Sequence, residues 1–295
     1  MLNTDTLTNL GQIACSAAET AGELIIEHLD NKQQINHKAN QSSLASQVVT
    51  DVDYAAQACI MEILQPSVEQ YDLAMLGEES VDDKQRLHKP AFWCIDPLDG
   101  TLAFIRRQTG FNVSVGLVSR DGTPLIGVVY DPLHKRLFSS VKDQGILKNQ
   151  QIFKPAKADK NQALVLLCDL SFADHPLYRP TEDAFYELAA QLGFIDAQLR
   201  LQIGAVHNAC QVLENPNCVY FKYPRQGEHG GSLWDYAATT CLFHEAGTIV
   251  CDSYGNTLEL NRRESTYMNH RGILYAADQT IAAAMISLFE NMKQP

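Results

Sequence analysis

Asp96-Pro97-Leu98-Asp99-Gly100-Thr101 brings two carboxylates, a proline, a glycine and a hydroxyl into six positions directly after the apolar run Phe92-Trp93-Cys94-Ile95. Proline biases the residue before it toward extended backbone, so the Asp96 carboxylate leaves a strand end in a fixed direction. Asp99 follows three positions on. With the Leu98 carbonyl between them, the two carboxylates can converge on a hard cation such as Mg²⁺, which takes oxygen ligands and leaves positions open for water and substrate oxygens. Gly100 lets backbone approach a ligand closely, and a short helix beginning here would place the Gly100 and Thr101 amides where anions bind. Read alone, the same six residues also fit an ordinary Asp-Gly turn with a solvated aspartate.

Two further segments carry acids at comparable places. Gly77-Glu78-Glu79-Ser80 follows the apolar run Leu73-Ala74-Met75-Leu76, and Gly231-Ser232-Leu233-Trp234-Asp235-Tyr236-Ala237-Ala238 sets Asp235 near the start of a helix. Each has a structural reading: a solvated acidic edge for the first, and for the second an aspartate complementing a helix dipole, worth about 0.3–1 kcal/mol. Thr50 and Asp53 read as the two halves of a capping box.

In their order along the chain, these segments resemble the inositol monophosphatase superfamily, whose members share Gly-Glu-Glu, Trp-x-Ile-Asp-Pro-hydrophobic-Asp-Gly-Thr and Trp-Asp-x-Ala segments. The resemblance spans residues 38 to 250. It implies an α/β (α+β) fold, a layered αβαβα sandwich of the sugar-phosphatase type with a mostly antiparallel N-terminal sheet and a smaller C-terminal α/β sheet. By position it implies Glu78, Asp96, the Leu98 carbonyl, Asp99 and Asp235 as ligands of two or three Mg²⁺ ions, with Gly100 and Thr101 holding phosphate. Val49-Thr50-Asp51-Val52-Asp53 looks like the family's Val-Thr-x-x-Asp helix start, which makes Asp53 the partner of Thr101 in orienting the attacking water. Glu78, Asp53 and Thr101 are then the catalytic set. Lys38 is the nearest match to the family's loop lysine, although its spacing to Asp53 is longer and the usual Ser-Pro-Val stretch is missing. The implied activity is Mg²⁺-dependent hydrolysis of a small phosphorylated metabolite by metal-activated water, without a phosphoenzyme and with sensitivity to lithium.

For the substrate, two signals point apart. Glu228, seven residues before Asp235, matches the glutamate that accepts hydroxyl hydrogen bonds in inositol monophosphatases, and the first expectation is an inositol monophosphatase-like enzyme. Tyr223-Pro224-Arg225 resembles the 3′(2′),5′-bisphosphate nucleotidase branch, where Arg225 would bind a second phosphate and an aromatic ring would stack a base. A haloacid-dehalogenase-type phosphatase is the third reading, because Asp51-Val52-Asp53 has the Asp-x-Asp form. Ala55 stands where that motif needs Thr or Val, and the residues after it follow a helical period. A non-catalytic phospholigand-binding protein would be expected to lack one of the metal carboxylates, and this chain has them all.

The elements that must position these residues follow from periodicity. Leu7, Leu10, Ala14, Ala17, Ala21 and Leu24 predict an amphipathic helix to about residue 28. Residues 31 to 47 are polar and aperiodic and read as a loop. A helix follows Thr50, with Val52, Ala55, Ala56, Cys59, Ile60 and Ile63 as its buried stripe, and gives way after Pro66 to short apolar runs. Two of these, 113–118 and 126–130, are joined through Asp121-Gly122 as a hairpin. The second half reads as strands at 164–168, 218–223 and 248–251 alternating with helices at about 182–193, 204–214, 234–246 and 279–292, a layered α/β pattern. Residues 1–150 are expected to form a domain with most metal ligands, and 151–295 one carrying Asp235 and the specificity loop.

The chain has 295 residues, 45% of them hydrophobic, and a formal net charge of −12. That charge argues against a nucleic-acid or anionic-membrane partner, since such surfaces need lysines and arginines. An acidic protein still binds an anionic metabolite if metal ions invert the local charge. Eight scattered cysteines show no Cys-x-x-Cys spacing and read as free thiols. With no membrane-length apolar run and no signal-like start, the expected location is the cytoplasm, with a homodimer as a possible assembly.

Overall fold

The computed structural model describes residues 2–29, 35–37, 48–225, 227 and 230–292. Helix α1 (Thr4–His28) is capped by Asn3, whose side chain accepts from the Thr6 amide at 2.9 Å. Its buried stripe runs through Leu7, Leu10, Ala14, Ala17 and Ala21 to Ile25, so Ile25, not Leu24, completes it. Strands β1 (Ile35–His37) and β2 (Val48–Thr50) pair antiparallel, which corrects the expectation that 31–47 holds no element. A three-residue ladder is too short to show a period.

Helix α2 (Asp51–Tyr71) starts at the expected capping box. Ala55 is exposed, and the buried line is Val52, Ala56, Ile60 and Leu64. The helix also runs through Pro66. Pro66 and Glu62, whose carbonyl loses its donor, are both exposed, so water can take the missing bond. Asp72 ends the helix in the left-handed conformation.

Strands β3 (Ala74–Gly77), β4 (Ala91–Asp99), β5 (Asn112–Ser119), β6 (Pro124–Asp131), β7 (Arg136–Val141), β8 (Ile146–Lys148) and β9 (Gln151–Ile152) form one sheet in sequential order. Only β3 and β4 pair in parallel. The five-residue helix α3 (Thr101–Ile105) follows β4 directly. The second sheet has the order β11-β10-β12-β14-β13, from β10 (Ala163–Asp169), β11 (Asp196–Gln202), β12 (Cys218–Lys222), β13 (Ile249–Cys251) and β14 (Ile273–Ala276). In it β11, β10 and β12 are parallel. Helices α4 (Tyr178–Gln191), α5 (Ala205–Glu214), α6 (Leu233–Ala246) and α7 (Gln279–Met292) fill the remaining layers. Strands β7, β8, β9, β11 and β14 are not among those the sequence predicts, although β11 alternates polar and apolar residues.

Strand alternation divides the core into three bodies. Trp93, Ile95, Val113 and Val115 face α1 and α2. Phe92 and Cys94 face the other way, against α5, α6 and the inner face of the second sheet at Val165, Leu167 and Tyr220. Leu164, Leu166 and Phe221 pack outward on α4 and α7. The result is helix, sheet, helix, sheet, helix, as the resemblance implied.

The approach of α6 to the first sheet depends on two glycines. Gly116 and Gly127 are register partners on β5 and β6, beneath Ala237 and Ala238. A Cβ on Gly127 would stand 2.2 Å from the Ala238 carbonyl oxygen and 2.8 Å from the Cys241 Cβ. Since this contact seats the helix that carries Asp235, Gly127→Ala is expected to cost about 1–3 kcal/mol through overpacking. Urea unfolding of the variant checks this; wild-type stability would show that the helix gives way freely.

Candidate active site

Strand β4 carries the central acids. Asp96 pairs with Ser114 and Asp99 with Asn112, so three steps on β4 oppose two on β5. Without this bulge, residues three apart on a strand would point to opposite faces; the extra residue brings both carboxylates to one side. Gly100 then turns the chain at φ +83°, and a Cβ there would lie 2.1 Å from the Gly110 carbonyl oxygen. Only glycine fits.

Helix N-termini hold most of the acids in place. Asp99 accepts the Ala205 amide at 3.1 Å and the Val206 amide at 3.0 Å, at the start of α5. Asp235 accepts the Ser232 amide at 2.5 Å in the capping box of α6. Asp53 accepts the Thr50 amide at 2.9 Å and the Thr50 hydroxyl at 2.6 Å, while the Thr101 hydroxyl lies 2.9 Å from its other oxygen. Thr101 Oγ1 is also 3.1 Å from the Leu98 carbonyl. Asp53 and Asp235 are each the capping acid of their helix; Asp235 also belongs to the acidic cluster, and Asp53 reaches the site through Thr101.

Glu78 enters from β3. Its amide donates to the Ile95 carbonyl at 3.1 Å, continuing the parallel ladder and setting its side chain, which hydrogen-bonds to that of Asp96, beside the centre. Gln57 of α2 fixes the following residues, accepting from the Glu79 amide at 2.8 Å and donating to Ser80 Oγ at 2.8 Å.

Carboxylate oxygens of Asp96, Asp99 and Asp235 all lie within 4.8 Å of one another. Burial, then the neighbouring charge of Glu78, pushes the Asp96 carboxyl well above the usual range, and burial with Asp235 does the same to Asp99. Asp235 is pushed up to about 7 by burial and Glu78, with Lys222 opposing, and Asp53 up to about 6, chiefly by burial. Such crowding of oxygen donors, with Glu78 and the Leu98 carbonyl beside them, fits Mg²⁺ in ligand type and charge, because a divalent cation would offset the repulsion.

The centre opens into a cavity of about 290 Å³ lined by Glu78, Asp96, Leu98, Asp99, Gly100, Thr101 and Asp235. Asp53 stands behind Thr101, outside this lining. The far wall comes from the carboxyl ends of the three parallel strands, Asp169 of β10, Gln202 of β11 and Lys222 of β12, the edge at which open α/β sheets bind ligands. Lys222 Nζ lies 2.7 Å from Asp169 and 2.9 Å from the Tyr236 hydroxyl, and Tyr220 donates to Asp169 at 2.8 Å. Sequence reasoning passed over this pair; a lysine ending the apolar run Cys218-Val219-Tyr220-Phe221 was the available signal. Arg225 lines the cavity, together with Phe172, Tyr223 and Asn269.

Glu228, His229 and Lys38 lie outside the described residues. His207 is buried with Nε2 2.6 Å from Gln211 and is not part of the lining. Asp51 is exposed in the first turn of α2 and away from the cavity. All eight cysteines are free. Among the described residues no helix is long and apolar enough to cross a membrane.

Comparison with known proteins gives one consistent grouping. The profile of the Inositol monophosphatase family matches residues 6–294. The 3′(2′),5′-bisphosphate nucleotidase CysQ of Salmonella typhimurium is 30% identical over 85% of this chain and 94% of its own length. Nus factor SuhB of Haemophilus influenzae is 29% identical over 81% of this chain and 84% of its own. The fold matches that of an inositol monophosphatase from Anabaena with a TM-score of 0.70, covering 98% of this chain and 97% of the other at 22% identity.

The raised carboxyls set the sign of a pH effect. Groups whose native pKa exceeds the unfolded one bind more protons when folded, so their contribution is present at low pH and is lost as pH rises through the native values of about 6 and 7. Chelated protein is expected to lose stability over that window, and Mg²⁺ to restore it at neutral pH. Asp96→Asn removes one crowded charge but keeps an acceptor for the Leu98 amide, 3.1 Å away. Its metal-free thermal midpoint should rise above wild type, with no further increase on adding Mg²⁺. A lower metal-free midpoint would contradict the repulsion.

Proposed function

The chain belongs to the inositol monophosphatase family, and from that premise we propose that it is a Mg²⁺-dependent phosphomonoesterase acting on a small phosphorylated metabolite. The observation that carries this reading is the cluster of Asp96, Asp99 and Asp235, within 4.8 Å, beside the Thr101–Asp53 pair at one end of a cavity. Glu78, Asp96, Asp99, Asp235 and the Leu98 carbonyl would hold the metal. When bound, Mg²⁺ supplies positive charge that acidifies water and stabilises the entering and leaving oxygens of phosphate-ester hydrolysis. The Gly100 and Thr101 amides would meet the phosphate. With its proton directed to Asp53, the Thr101 hydroxyl keeps a lone pair to accept from the attacking water and so orient it. Asp53, pushed up to about 6, is suited to share that proton near neutral pH.

For the substrate, one feature favours a second anionic group. Arg225 faces the cavity, and no side chain among the described residues accepts a hydrogen bond from its guanidinium; Phe172 and Tyr223, 5.4 Å apart and nearly parallel, line the same wall. A 3′(2′),5′-bisphosphate nucleotide would use both the charge and the rings. The similarity to CysQ supports this reading. An inositol or sugar monophosphate is the competing substrate, with Glu228 as its expected hydroxyl acceptor.

Phosphate release from 3′-phosphoadenosine 5′-phosphate and from inositol monophosphate, measured side by side with Mg²⁺ and with or without lithium, separates the two. Asp99→Asn is expected to lower kcat on either substrate by about 10³-fold or more, as loss of a principal charge-stabilising group does. Arg225→Ala should raise KM about 10-fold or more for the bisphosphate and leave the monophosphate unaffected. Equal effects on both substrates would remove Arg225 from the second-phosphate role.

A further inference from the structure

We propose that Arg86 is a positioning residue that couples the acidic loop carrying Glu78 to a strap, residues 261–272, which braces both Asp235 and the Arg225 segment. The proposal rests on the reading of the site as a Mg²⁺ centre. Arg86 is 1% exposed and does not line the cavity, so its charge is held inside the protein without touching substrate. Burying a guanidinium is costly unless its donors are matched; here Nε and NH1 are hydrogen-bonded, while NH2 has no hydrogen bond and meets only the Asp82 carboxylate, 2.9 Å away, as an ion pair. Nε donates to Asp82 at 3.0 Å, and NH1 to Asn261 Oδ1 at 2.6 Å and the Arg262 carbonyl at 2.7 Å. Asn261 Nδ2 donates back to the Arg86 carbonyl at 3.1 Å and to the Arg120 carbonyl at 2.9 Å.

From this junction the two ends of the site can be traced. On one side Asp82 lies four residues beyond Glu78, on a loop that Gln57 fastens at Glu79 and Ser80. On the other, the Arg262 side chain donates to the Tyr267 carbonyl at 3.0 Å. The strap then pairs with the segment that caps Asp235: the Leu233 amide donates to the Thr266 carbonyl at 2.9 Å and the Met268 amide to the Gly231 carbonyl at 3.0 Å. One residue later Asn269 accepts the Arg225 amide on its carbonyl, and its side chain donates to the Gly227 carbonyl, both at 2.8 Å. Arg86 thus joins the loop that delivers Glu78 to the backbone that delivers Asp235 and Arg225.

The test uses the full chain and titrates Mg²⁺ calorimetrically into chelator-treated protein. Arg86→Lys keeps the charge but loses the fork, and Asn261→Ala cuts the same link from the strap side should the lysine variant fail to fold. Each is expected to weaken Mg²⁺ binding about 3- to 30-fold and to raise KM in parallel. The double variant should be no weaker than the poorer single one, because both break one connection. Lys89→Ala, at a surface pair with Asp72, should bind Mg²⁺ as wild type does. Wild-type Mg²⁺ affinity in the folded variants would overturn the proposal alone; absence of Mg²⁺ binding by the wild-type protein would overturn the metal reading, and this proposal with it.

Discussion

Three carboxylates whose oxygens lie within 4.8 Å repel one another, and much of the fold can be understood as the means of holding them there. Repulsion between buried like charges grows as water is removed, so the cluster needs compensating partners built into the backbone. Helix N-termini supply them. Asp99 takes the first amides of α5, Asp235 closes the capping box of α6, and Asp53 closes that of α2. These three acids sit where a helix carries partial positive charge, Asp53 behind the cluster, whereas Asp96, the remaining member of the cluster, is held on β4 by the Leu98 amide and the Glu78 side chain.

That convergence dictates the layers. Helix α2 packs on one face of the first sheet, α5 and α6 on the other, and the carboxyl-bearing end of β4 lies between them. The middle helices are shared with the second sheet, so Asp235 is aligned by packing from both sides. Gly116 and Gly127 permit the close seating of α6, and a side chain at either would reach its backbone. The cavity is then what remains between the acid cluster and the carboxyl ends of β10, β11 and β12.

The cluster also explains why an acidic protein suits an anionic ligand. Its net charge of −12 would repel phosphate in general. The raised carboxyls mark a place where a cation would relieve repulsion within the protein, and a cation there would invert the local field. Such a site is less stable without its ion than a neutral core would be, a common cost of function.

The sequence alone determined what depends on neighbours along the chain. The Thr50–Asp53 capping box, helical periods, the Asp-Gly hairpin and the acid motifs are local, so the start of α2, α1 and the candidate ligands Asp96 and Asp99 were legible before any fold was known. Pro66 misled because exposure, which lets a helix run through it, is a tertiary property. Tertiary structure alone decided which acids meet, through a bulge on β4 and three converging helix ends. It also made Asp169 and Lys222 partners and placed Arg86 at a junction with Asn261, far along the chain. A buried charge is tolerable only with its partner, and the partner's identity lies in a distant segment that no local pattern encodes.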